Sequence, residues 1–259
     1  MTVLKEVVNS VETANFAEIY TLAEKTSYIN TQNCYGETAL IYAAATGNKQ
    51  LMEDLLSSGS RIDHQDNEGR AALHWAVARG HLDIVQLLTE NNSNVNIQDA
   101  RYKTPLILAV ENNRPEIAVR LLTVKQIQVN QRDHGGNTAL HWAVDIGSRA
   151  LAELLIQNKA QINIKNNFGS TPLSWAAKNG CIELINLLLD NKADPELTDN
   201  LERNALMRAI ENGHRPAAEI LLNRRVSPAG RKTLDGAERS AVIHGYADLA
   251  HLIKEKARA

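Results

Sequence analysis

Cysteine is nearly absent from this 259-residue chain: Cys34 and Cys181 stand far apart and in no C-x-x-C arrangement. Two such residues cannot build a disulfide framework or a cysteine-rich zinc site, and they suit a reducing, intracellular setting. Long apolar runs are missing as well. None approaches the roughly 18 residues that cross a bilayer, and an acidic residue, Glu6, stands where the apolar core of a signal peptide would run uninterrupted. The sequence is read as soluble, with no membrane association. A strong charge of one sign is also lacking, since the formal charge is −2, which argues against a generic polyanion binder. The balance is uneven: residues 224–259 carry eight Lys/Arg against four Asp/Glu, so this end is +4 and the remainder −6. Motifs of chemistry are missing too, with no H-E-x-x-H, G-x-G-x-x-G, Walker-type loop or G-x-S-x-G in the chain. Enzymatic activity has no sequence support, and neither cofactor nor metal is expected.

What the chain does contain is a period. The hexamer ALHWAV occurs at Ala72–Val77 and again at Ala139–Val144, 67 residues apart. Leu40, Leu73, Leu106, Leu140, Leu173 and Leu206 follow one another at steps of 33, 33, 34, 33 and 33 residues. The same register carries Ala43, Ala76, Ala109, Ala143, Ala176 and Ala209, then Leu55, Leu88, Leu121, Leu155, Leu188 and Leu221. Turn-forming Asn33, Asp66, Asp99, Asp133, Asn166 and Asp199 keep it as well. Six copies result, and the single longer step is one extra residue within Thr123–Gln128.

Each unit reads as helix, turn, helix, finger. Thr171 is a good N-cap and Pro172 suits the first helical position, so a helix starts there and ends at Gly180. Ile182, Ile185, Leu187 and Leu188 then recur at helical spacing. Segments such as Ser93–Asp99 mix β-branched and turn residues, as a short hairpin or extended loop would. Helices this short bury their apolar faces only by stacking on neighbouring units.

With Gly69-Arg-Ala-Ala-Leu-His-Trp-Ala-Val77 followed by Gly80-His81, and with Thr104-Pro-Leu106, Thr138-Ala-Leu-His141 and Thr171-Pro-Leu173, the chain resembles the ankyrin-repeat family. The resemblance implies an all-α solenoid of stacked helix-turn-helix units with short hairpin fingers, and a concave surface on which partners bind. One domain is expected over 1–259: an N-terminal capping repeat at 1–32, carrying apolar Val7, Leu22 and Ile29, six repeats at 33–229, and a C-terminal capping repeat at 230–259. At that end Ala241, Gly245 and Leu252 continue the pattern one residue short. Tyr102 and Glu202 replace the finger glycine, so those two fingers are expected to differ in shape.

His74 and His141 occupy the family's Thr-Pro-Leu-His position, which implies a structural hydrogen-bonding role in tying loops together. His81, His214 and Cys181 follow the helix-ending glycine, and a structural part is expected of them too. Specificity is sought at positions that packing does not dictate. These are Tyr35, Glu37, Glu68, Arg70, Arg79, Arg101, Lys103, His134, Asn137, Asp145, Phe168 and Lys178, joined by the inner-helix tryptophans Trp75, Trp142 and Trp175. The tryptophans suit both packing between helices and a ligand-facing ladder. Tyr35 and Phe168 stand out, because an exposed finger-tip ring needs a reason. Arg224, Arg225, Arg231 and Lys232 around Ser227-Pro228 read as a solvated end, with nucleic-acid contact disfavoured. The expected function is a non-enzymatic, monomeric, cytoplasmic adaptor or scaffold that binds a protein partner. The alternatives are a bacterial effector secreted into a host cytosol, and an inhibitor or regulator of a partner enzyme.

Overall fold

The computed structural model describes residues 29–224 and 231–258, and they carry fourteen helices and no strand. Most of the expected N-terminal capping repeat, with Val7 and Leu22, lies outside the described residues. The chain divides by its contacts into two compact units, 1–133 and 134–259. In the first, helix pairs run Ala39–Thr46 with Lys49–Ser57, Ala72–Arg79 with Leu82–Glu90, and Pro105–Glu111 with Pro115–Leu122. In the second they run Ala139–Asp145 with Arg149–Gln157, Pro172–Lys178 with Ile182–Asp190, and Ala205–Glu211 with Arg215–Asn223, followed by Arg231–Ile243 with Ala247–Arg258.

The start of each first helix follows from local chemistry. The side chains of Thr38, Thr104, Thr171 and Asn204 each accept from the backbone N–H three residues on, satisfying a donor that the helix leaves open. Pro105 and Pro172 follow directly, where a missing N–H costs nothing. At the other end a left-handed residue turns the chain into the second helix, a glycine at Gly47, Gly80 and Gly180 but Asn113 in one repeat.

Within each unit, first helices pack on first helices and second helices on second helices. The periodic leucines fill the seams. Leu73, Leu106, Leu140 and Leu173 are each 1% exposed, and Leu88, Leu121, Leu155 and Leu188 are wholly buried. Each such side chain is worth roughly 1.5–3 kcal/mol of apolar burial. The periodic alanines, also inaccessible, leave only a methyl group between first helices and let them approach. The extra residue of the third repeat falls in the turn after Leu122, where Val124 N–H donates to Leu121 at 3.1 Å, so it leaves the helical register intact.

Two expectations are corrected. The fingers at Tyr102 and Glu202 keep the shape of the others: both residues take the left-handed conformation, φ 58° and 59°, and close the same turn through Tyr102 N–H to Asp99 and Glu202 N–H to Asp199. The turn overrides the side chain's preference, at a cost of roughly 1–2 kcal/mol. At the C-terminal helix pair, the register shortened by one residue places Ile253 in the seam, fully buried, while Leu252 is half-buried.

Candidate functional site

Five of the fingers are each built on one side-chain oxygen. Oδ1 of Asn33, Asp66, Asp99, Asn166 and Asp199 accepts from the amides two and four residues ahead, 2.8–3.0 Å away, which bends the chain into a tight loop. Successive fingers are then joined by backbone bonds. Asn67 N–H donates to Tyr35 and Ala100 N–H to Glu68 in the first unit, and in the second Asn167 N–H donates to Gly135 and Asn200 N–H to Phe168, all at 2.9–3.0 Å. Amide side chains reinforce the ladder, Asn67 to the carbonyl of Cys34 and Asn167 to that of His134. The finger glycine is required by this closeness, since a Cβ on Gly69 would stand 2.7 Å from the Ala100 nitrogen.

The locked tips present a register of side chains to solvent. Tyr35 is 67% exposed and Phe168 68%, and Leu201, 33 residues after Phe168, is also 68% exposed. Leu201 was not singled out from the sequence, although its register with Tyr35 and Phe168 marks it. Between them in the same register stand Glu68 and Arg101, both exposed.

Trp75 lies below the fingers, half-buried, as are Trp142 and Trp175. Its indole N–H donates to Asp66 Oδ2 at 3.0 Å, Arg70 lies over its ring at 4.1 Å, and Arg79 at 5.6 Å. Arg70 also pairs with Asp66 and with Glu68. The last full repeat uses the same plan with a different donor: Arg208, in the tryptophan's register, pairs with Asp199 at 2.9 Å beside Arg203. Burial alone would raise the Asp199 carboxyl, but hydrogen bonds from Arg203 and Leu201 together outweigh it and hold the carboxyl below its ordinary range. Trp175 meets the edge of His141, ring centroids 5.4 Å apart.

His74 and His141 tie loops as the family resemblance implies. Ala71 N–H donates to His74 Nδ1 at 3.0 Å, so the neutral ring carries its proton on Nε2, which donates to the Lys103 carbonyl of the next repeat at 3.1 Å. His141 repeats this with Thr138 and Ser170, and Ser174 supplies the local half alone, through its bond from Thr171 N–H. Burial lowers the His74 imidazole below its ordinary value. His81 and His214 lie against Gly47 and Gly180 of the preceding repeat, where a Cβ would meet the rings at under 3 Å.

The other candidates differ in burial and in the bonds they make. Lys103 bonds both oxygens of Glu111 at 2.6 Å, Glu37 accepts from Asn33, and Asn137 accepts from Asn166. His134, Asp145 and Lys178 are exposed. Arg224 pairs with Asp190, whereas Arg225 and Ser227-Pro228 lie outside the described residues. Among the described residues no cluster of His, Cys, Asp and Glu could hold a metal ion, and no helix is long and apolar enough to cross a membrane.

Comparison with known proteins agrees with this architecture. The family model for ankyrin repeats (3 copies) matches residues 9–99, 91–166 and 147–231. Among solved structures, the ankyrin repeat domain of Bcl-3, a unique member of the IkappaB protein family, is similar with a TM-score of 0.69 and 26% identity, over 75% of this chain and 89% of that one. No curated protein matches. Matched by that family model over most of its length, the chain belongs to the ankyrin-repeat family.

Proposed function

We propose that this protein is a non-enzymatic protein–protein interaction module, an adaptor or scaffold, that takes its partner on the finger tips and the adjoining faces of the first helices. Ankyrin repeats generally serve as interaction modules, which supports the class. The observation that carries the reading is the combination of locked finger backbones with exposed Tyr35, Phe168 and Leu201. A rigid loop holding an apolar side chain in water loses little conformational entropy when a partner covers it. Packing explains none of the three, because each is more than half exposed. Free Cys34 and Cys181 support a reducing compartment, the cytoplasm. Affinity capture with crosslinking from the native cell tests the reading: crosslinks should map to the fingers and first helices, and a partner held on the second helices would contradict it.

A further inference from the structure

In the first unit, four cations near the fingers and first helices differ in how their charges are met. Arg70 and Lys103 are tied to Asp66, Glu68 and Glu111, their charges answered within the fold. Arg79 and Arg114 are exposed and make no ion pair among the described residues, although Asp83 and Glu116 begin the second helices close by in sequence. Both arginines are placed at the end of the helix Ala72–Arg79. Arg79 turns back toward the Trp75 ring, and the Arg114 guanidinium lies across Gly80, 3.1 Å from where a Cβ would stand. The result is two guanidinium groups with no carboxylate partner among the described residues, one of them against a half-buried indole, in a chain whose total charge is −2.

We propose that this end of the first unit is a docking site for an extended acidic segment of a protein partner, whose carboxylates pair with Arg79 and Arg114 while its aliphatic parts lie on Trp75. The proposal rests on the interaction-module reading and names the chemistry of one partner segment. Guanidinium groups bind carboxylates through paired, charge-assisted bonds and are weakly hydrated, so little solvation is lost when they are covered. Nucleic acid is the poorer fit, since a phosphate backbone is held by many cations in a row and Arg70 and Lys103 of this face are already paired with carboxylates.

The test uses the full chain and a fluorescein-labelled peptide of about 12 residues alternating glutamate and serine, roughly 40 Å when extended. Its glutamine counterpart and a single-stranded DNA of similar length serve as comparisons. Anisotropy at low salt should show the acidic peptide binding more tightly than either. The double variant Arg79→Gln/Arg114→Gln should weaken it about tenfold, through loss of two charge-assisted contacts. The double variant Lys49→Gln/Arg149→Gln, with the same change in charge, should leave it within about twofold. Tighter binding of the DNA, no binding of the peptide, or equal losses in both double variants would overturn the proposal. If the peptide fails while a cellular partner still crosslinks to the fingers, the acidic-segment assignment falls alone. If no partner is captured at all, the module reading falls with it.

Discussion

The imidazole of His74 joins two repeats: its Nδ1 accepts from Ala71 within its own repeat and its Nε2–H donates to the Lys103 carbonyl of the next, 3.1 Å away. That geometry admits only a neutral ring, because a proton on Nδ1 would face the Ala71 N–H. Burial holds the folded-state pKa below its ordinary value of 6.5, so the unfolded chain binds the proton more readily. The stabilisation is complete above about pH 6.5 and is lost as pH falls below it. Urea titrations from pH 7.5 to 5 should therefore show a decline in stability that shrinks in His74→Ser, the residue type that caps the equivalent helix at Ser174. An unchanged pH slope in the variant would remove His74 from this role.

Seam leucines carry the stack. Leu106→Ala should lower stability by about 2–5 kcal/mol, because the residue is 1% exposed between helices that cannot readily collapse onto the space. Chemical denaturation measures it, and a loss below about 1 kcal/mol would put the register in error.

The finger glycine and its exception should respond with opposite signs. Gly69→Ala combines a positive φ of 73° with a Cβ 2.7 Å from the Ala100 nitrogen, and should cost more than about 1 kcal/mol. Glu202→Gly removes left-handed strain at φ 59° and should raise stability by up to about 1 kcal/mol. Thermal melts of the two variants check both signs.

Trp75 is both packing and polar anchor. Trp75→Leu should retain the fold yet cost about 1–3 kcal/mol, since the buried Asp66 carboxylate loses one donor and Arg70 its stacking surface. An equally stable variant would mean that the indole N–H contributes nothing there.

Much of the fold was legible because stacking imposes its period on the letters: the leucine and alanine positions needed only counting. The finger at Glu202 was misread because a glycine's absence signals strain but not which way it resolves, and here the hydrogen bonds around Asp199 hold the turn. At the C-terminal pair Leu252 and Ile253 are adjacent apolar residues, and only the packing of the two helices decides that Ile253 is the one in the seam. The candidate site was harder. Lys103 and Arg70 looked open in the sequence, yet carboxylates up to eight residues away occupy them, and such pairing depends on where a finger meets the adjoining helix. Leu201 was overlooked because leucine reads as core by default.

The most direct measurement is calorimetric titration of the captured partner against variants of the fingers. Tyr35→Ala, Phe168→Ala and Leu201→Ser should leave the melting temperature almost unchanged, since these side chains are 67–68% exposed. If the locked tips are the binding surface, at least one should weaken the partner by more than about 1 kcal/mol. Wild-type affinity in the triple variant, with the fold intact, would contradict it.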